Sequence, residues 1–269
     1  MGQSEGSTSF QQRVRRNFGR QAMHYDSQAL LQRAVAWRLG RLCRDLPLPV
    51  GATADLGAGS GLLSRALLEH RPSLRQRLPL QLDFCAELLA RNPLLHKDSS
   101  AAAESVGLLW DLEDGLPPEL RDSALLASSF ALQWLEDPER RLADWCRGLR
   151  PGGWLVLAVP TQGSFPQWHQ AAAAAGVPCT ALPLPQGEGL IRTATAQGLT
   201  LHRSQRLTFT RPRQGGLTTL RRLQRLGAGS AHHPPLAAGQ LRRLLRHWPA
   251  GTPLSWEVLL LLGRKGAQP

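Results

Sequence analysis

Asp55, Gly57, Gly59 and Gly61 stand at alternate positions in the run ADLGAGSG, and the apolar-periodic run LLSRALLEH follows at once. An acidic residue, three spaced glycines and a helix start describe a strand ending in a tight loop where the backbone passes close to a ligand. Glycine tolerates a positive-φ turn and removes the Cβ that would collide, while the helix N-terminus offers unpaired N–H groups. No Lys-Ser/Thr pair follows the last glycine, so this is not a GxxxxGK(S/T) phosphate loop, and it fits GxGxxG poorly. Further on, Asp83 closes the short apolar run LQLD, with Phe84 beside it, and Asp111-Leu112 follows the run GLLW. A carboxylate at the end of a second strand can accept hydrogen bonds from two ribose hydroxyls. For each aspartate taken alone, a helix cap or turn residue is an equal reading.

These residues need a scaffold that brings their loops to one edge. Residues 10–44 read as amphipathic helix and 52–57 as a first strand. The runs LQLDF, GLLWDLED, SALLASSFAL and GGWLVLAVP read as further strands, separated by helical stretches such as AELLARN and DPERRLADWCRGL. Strands alternating with helices predict right-handed βαβ units and a mainly parallel α/β sheet covered on both faces. Ligands then sit at the carboxyl ends of the strands, where all the candidates fall. Beyond residue 160, QGSFPQWHQAAAAAG reads as helix and residues 199–210 as strand. LTTLRRLQRLGAGS and LAAGQLRRLLRHW read as basic amphipathic helices before a last strand, LSWEVLLLLGRK.

Composition sets the class. A chain of 269 residues with 42% hydrophobic and 19% charged residues predicts one substantial folded domain. The longest apolar run near the C-terminus, Val258 to Leu262, is too short to span a bilayer. The polar start MGQSEGSTSFQQ lacks the apolar core of a signal peptide and reads as a disordered tail. Cys43, Cys85, Cys146 and Cys179 show no CxxC or Cys/His spacing, so no metal site and no disulfide framework is expected, and a reducing cytoplasm is. A net charge of +12, almost all from arginine, attracts polyanions: nucleic acid, an anionic membrane or an acidic protein.

The DxGxGxG pattern resembles motif I of the class I S-adenosylmethionine-dependent methyltransferases. Asp83, Asp111 and the turn Arg150-Pro151-Gly152-Gly153 stand in the order that this fold implies. From roughly residue 17 to 265 the chain is similar to the malonyl-[acyl-carrier protein] O-methyltransferases of biotin synthesis. The segments that carry this are NFGRQAMHYDSQALLQR, SSFALQWLEDPERRLADWCRGLRPGG, QGSFPQWHQA, LRRLQRLGA and PLSWEVLLLLGRK. There are departures. Ala124 stands where the family has Asp, Ser128-Ser129 where it has Ser-Asn, and Ala58 where Cys is common; the connector before Asp83 is also longer.

The resemblance implies a single Rossmann-like domain over 1–269, with an N-terminal helical lid (1–44), a cofactor-binding core (52–160) and a helical appendage (211–250). It implies S-adenosylmethionine as methyl donor, held by Asp55, Gly57, Gly59, Gly61, Asp83, Phe84, Asp111 and Leu112, with no metal. The acceptor implied is the free carboxylate of a malonyl group on the phosphopantetheine arm of acyl-carrier protein, with no role for a membrane. A carboxylate with a pKa near ~4 is already ionised at neutral pH, so no strong general base is needed. Tyr25, the only tyrosine, falls in the lid segment. Arg221 falls in the appendage, where it could fork onto the malonyl carboxylate, and Gln133 and Trp134 lie beyond the fourth strand. Arg222 and Arg225 read as a solvated helix face. Competing readings are a small-molecule carboxyl methyltransferase of the trans-aconitate kind and an RNA methyltransferase. The latter would use the charge, but SSFALQW stands in place of an Asn/Asp-Pro-Pro-aromatic motif.

Overall fold

The computed structural model describes residues 4–96, 106–212, 215–249 and 251–266. In chain order the elements begin with α1 (Ser4–Gln21), α2 (Tyr25–Gln28), α3 (Leu30–Leu42), β1 (Thr53–Leu56), α4 (Leu62–His70), β2 (Leu80–Asp83), α5 (Ala86–Leu89) and β3 (Gly107–Leu109). There follow β4 (Ser123–Ser129), α6 (Pro138–Arg147), β5 (Leu149–Pro160), α7 (Pro166–Ala175), α8 (Gly187–Ala196), β6 (Leu199–Arg211), α9 (Gly216–Arg225), α10 (Ala238–Arg246) and β7 (Leu254–Lys265). The strands form one sheet in the order β3-β2-β1-β4-β5-β7-β6. Neighbours pair in parallel except β7, which runs antiparallel to both β5 and β6.

The sheet explains why its strands read as unbroken apolar runs. On β5, Trp154, Val156 and Ala158 pack into one core cluster while Leu155, Leu157 and Val159 pack into the other. On β7, Val258, Leu260 and Leu262 divide from Leu259 and Leu261 in the same way. Successive side chains point to opposite faces, and both faces are covered. The first cluster takes α3, α4 and α7; the second takes α6 and α8.

Several elements differ from expectation. The helix expected over 10–44 is interrupted: a 3-10 turn at Ala22–His24 and a non-helical Ala29 (φ −79°, ψ 43°) split it. The start expected as a tail is helical from Ser4; Met1-Gly2 lies outside the described residues. Within the expected lid, α1 and α2 lie near the strand ends, whereas α3 buries Val35 and Leu39 in the sheet's own helical layer. Helix α8 was not expected, because GEGLIRTATA has two glycines and two threonines, poor helix formers. Leu190 and Ala194, four apart, bury its inner stripe. The long connector before β2 folds as a 3-10 turn, Pro72–Gln76. Cys179 Sγ stands 3.4 Å from His169 Nδ1, a pair that the sequence spacing hid. Among the described residues no helix is long and apolar enough to cross a membrane.

Candidate active site

Strand order reverses between β1 and β4, and the loops leaving these two strands meet there. Gly57 has φ +75°, and a Cβ at that position would stand 2.2 Å from the Cβ of Ala131 beyond β4. The loops touch because position 57 has no side chain. Gly59 (φ +52°) donates its N–H to Asp83 Oδ2 at 2.8 Å, and a Cβ there would meet nothing closer than 3.8 Å. The space over this glycine is open. Gly61 caps α4 in the left-handed conformation against Asn92 and is not part of the cavity wall.

The two loops border a cavity of about 820 Å³ whose wall includes Asp55, Gly57, Gly59, Asp83, Phe84, Asp111 and Leu112. Asp55 is fully buried at the end of β1. Its Oδ2 accepts from Ser64 N at 3.1 Å and from Ser64 Oγ at 2.8 Å, while Oδ1 has no partner. Burial pushes this carboxyl up to about 7, against the pull of the Ser64 hydrogen bonds. Asp83 accepts from Gly59 N and Cys85 N, both at 2.8 Å, and burial pushes it up to about 6. Asp111 Oδ1 caps the turn Leu112–Asp114 by accepting from Glu113 N at 2.9 Å, and the residue lines the cavity. Ser128 Oγ, beside the departure at Ser129, donates to Leu56 O at 2.7 Å and ties β4 to β1. Ser129 Oγ is buried in the wall without a partner.

A second chamber of about 720 Å³ adjoins the first, and Phe18, Tyr25, Gln32, Phe130 and Trp134 line both. Its remaining wall is largely apolar, with Phe165, Trp168, Leu223 and Trp256. Phe18 meets Trp134 edge-on at 5.4 Å and Tyr25 at 6.2 Å. Burial, reinforced by Asp83 and Asp26, pushes the Tyr25 phenol well above its usual pKa, so it stays protonated. Asp26, next in α2, accepts from Ser60 Oγ at 2.5 Å and from Arg65 Nη2 at 3.1 Å. The hydrogen bond and the ion pair tie α2 to the glycine loop and to α4. Gln133 lines the second chamber; its Nε2 donates to Phe130 O at 2.7 Å and its Oε1 is buried without a partner.

Arg221 is not brought to the site. It lies on the exposed side of α9 and lines none of these cavities, whereas its neighbour Arg222 turns inward. The reason is helical phase. Thr219, Arg222, Leu223 and Leu226 fall at i, i+3, i+4 and i+7 on the packed stripe, and Arg221 falls off it. That spacing was the signal that identifies Arg222. Gln32, in the first turn of α3, is the other residue that sequence reasoning passed over, and it touches both chambers.

The strand order, the single reversed strand and the glycine-loop cavity at the switch point define a class I S-adenosylmethionine-dependent methyltransferase. Residues 54–157 match the methyltransferase domain family. A putative methyltransferase of Bacillus halodurans superposes with a TM-score of 0.59 at 12% identity, covering 85% of this chain and 99% of that one. Among relatives, a malonyl-[acyl-carrier protein] O-methyltransferase of Pseudescherichia vulneris is 32% identical over 238 residues, covering 86% of this chain and 87% of the relative. The biotin biosynthesis bifunctional protein BioCD of Bordetella avium is 30% identical over 240 residues, which is 87% of this chain and 48% of the relative. The chain spans about half the length of two of the curated relatives that it matches. The chain belongs to the malonyl-[acyl-carrier protein] O-methyltransferase family.

Proposed function

We propose that this protein methylates the free carboxylate of a malonyl group carried on acyl-carrier protein, yielding the methyl ester that feeds biotin synthesis. The observation that carries this reading is the pair of adjoining cavities, one holding the two buried carboxyls of Asp55 and Asp83 and one with no carboxyl among the described residues of its wall, which share Phe18, Tyr25, Gln32, Phe130 and Trp134. The residues present fit the donor. Asp55, with its unpartnered Oδ1, suits a cationic amino group, Asp83 suits a hydroxyl pair, and the open face of Gly59 admits close approach. When bound, S-adenosylmethionine supplies an electrophilic methyl group on a cationic sulfur.

The remaining work falls to the chain. An ionised carboxylate needs no proton removed, so positioning and exclusion of water dominate. Leaving water for a chamber walled by Phe130, Phe165, Trp168 and Trp256 strips the anion of hydration. A bound donor would bring an opposite charge there, so no guanidinium is assigned to the reacting oxygen. The Tyr25 phenol, held protonated, can donate one hydrogen bond and orient the acceptor while leaving a lone pair free. Gln133, tied to Phe130 O, holds the turn that frames the chamber. Arg221, exposed on α9, serves the docking of an acidic carrier protein.

Incubation with radiolabelled S-adenosylmethionine and malonyl-carrier protein, malonyl-coenzyme A, trans-aconitate or RNA tests the assignment. Base-labile label on the malonyl thioesters is the expected result. Label confined to trans-aconitate or RNA would overturn it.

A further inference from the structure

A third cavity, about 460 Å³, opens beyond the acceptor chamber and shares Gln32, Leu223, Leu226 and Trp256 with it. Two arginines face into it: Arg211 from the end of β6 and Arg222 from α9. The Arg211 guanidinium lies over the Trp256 ring at 5.6 Å. Arg222 Nε is buried without a hydrogen-bond partner, and so is Gln32 Oε1 across the cavity. Among the described residues no acidic side chain lines this space. The two cations therefore oppose each other; burial and the charge of Arg222 pull the ionisation of Arg211 down. A buried guanidinium donor left unpaired, as at Arg222 Nε, is costly, and a second cation on the same cavity adds repulsion, which an arriving oxyanion would relieve.

We infer that Arg211 and Arg222 form a phosphate subsite, which holds the phosphate of the phosphopantetheine arm while the malonyl end lies in the chamber beside Tyr25. The inference rests on the proposed acceptor. Such a thioester offers two anions, and chemistry separates their places. A carboxylate forked by two guanidiniums has its lone pairs engaged and is a poor nucleophile, so the reacting group cannot use this pair. The cavity also shares no wall with Gly57, Gly59 or Asp83. A non-reacting anion at the far end of the acceptor suits it, and phosphate is a group whose geometry planar guanidiniums match bidentately.

Calorimetry with 4′-phosphopantetheine and with pantetheine, neither bearing a malonyl group, tests the site apart from the reaction. The parent protein should bind the phosphorylated compound about tenfold or more tightly, as expected for charge-assisted pairs. Arg211→Gln and Arg222→Gln should abolish that preference, and Arg222→Lys should keep part of it. In turnover, the Gln variants should raise KM for malonyl-phosphopantetheine with little change in kcat, and leave KM for malonyl-pantetheine unaltered. Their melting temperatures should equal or exceed the parent's, since a like-charge pair has been relieved, so lost binding is not lost folding. Equal binding of both compounds by the parent would overturn the subsite, as would an equal loss toward malonyl-pantetheine, which would move the pair to the carboxylate. A phosphate preference that stands while no malonyl thioester is methylated would support the subsite and refute the proposed reaction instead.

Discussion

The two buried carboxyls at the ends of β1 and β2 tie stability to pH in a definite sense. Burial raises Asp55 from 3.8 to about 7 and Asp83 from 3.8 to about 6, so the folded chain keeps protons that the unfolded chain has released. The stability that they contribute is full below about pH 4 and drains as pH rises through 6 to 7. For Asp55 the difference is on the order of 4 kcal/mol between the two limits. An amide in its place stays neutral throughout. The Asp55→Asn variant, without ligand, should therefore gain several degrees of melting temperature relative to the parent between about pH 5 and about pH 8. Saturating S-adenosylmethionine should cancel the gain, because a cationic ligand favours the ionised carboxyl. A difference that does not vary with pH would show that Asp55 is ionised throughout.

At this scale the glycine loop was legible because Gly57 answers a local demand. A positive φ at Gly57, with the Ala131 Cβ where its own Cβ would stand, leaves the sequence no other residue. The arginines were less legible, since Arg221 and Arg222 differ only by a rotation of about 100° around one helix. Which of them faces inward is settled by the packing of Thr219 and Leu223, a partner surface that residue type alone does not display.

Among the elements, α2 links the N-terminal helix to the site. Four residues long, it carries Tyr25 to the shared wall and Asp26 to Ser60 and Arg65 of the glycine loop and α4. The ion pair is about two-fifths exposed on each side, and such pairs contribute at most about 1 kcal/mol to stability. Asp26→Ala should consequently leave the melting temperature within a few degrees of the parent and yet speed S-adenosylmethionine dissociation several-fold in stopped flow. Unchanged dissociation would show that the lid is held by Phe10, Val14 and Phe18 packing alone. The helix break that makes this link was not legible. The stretch FQQRVRRNFGRQAMHYDSQALLQR contains no proline, and its one glycine, Gly19, lies within α1 rather than at the break. The central strands were legible as apolar runs because both of their faces are buried, whereas GLLWDLED overran the three-residue edge strand β3, and its Asp111 instead caps the 3-10 turn Leu112–Asp114.

For the molecule as a whole, the charge of +12 is a field rather than a contact. If it gathers an acidic carrier protein, screening should oppose it. Between about 0.1 M and about 1 M salt the screening length falls from about 10 Å to about 3 Å. KM for malonyl-carrier protein should rise at least several-fold over that interval, while KM for malonyl-pantetheine should change little. A flat response for the carrier substrate would assign the arginine excess to something other than docking.

The place of β7 in the sheet has a consequence for how the protein is made. It follows the other six strands in the chain, yet it lies between β5 and β6, paired to β6 from Leu254 to Lys265 and to β5 from Val258 to Arg264. During synthesis the residues of β5 and β6 are therefore both present before the strand that joins them exists. Until Leu254–Lys265 emerges, the flank of β5 is an apolar edge with no neighbour, open to pairing with another chain. The nascent protein carries its stickiest surface for as long as translation takes to pass from residue 160 to residue 265, at about 5–20 residues per second. Its yield in a cell is thus set by protection of that edge before the last strand arrives, as much as by the stability of the finished sheet.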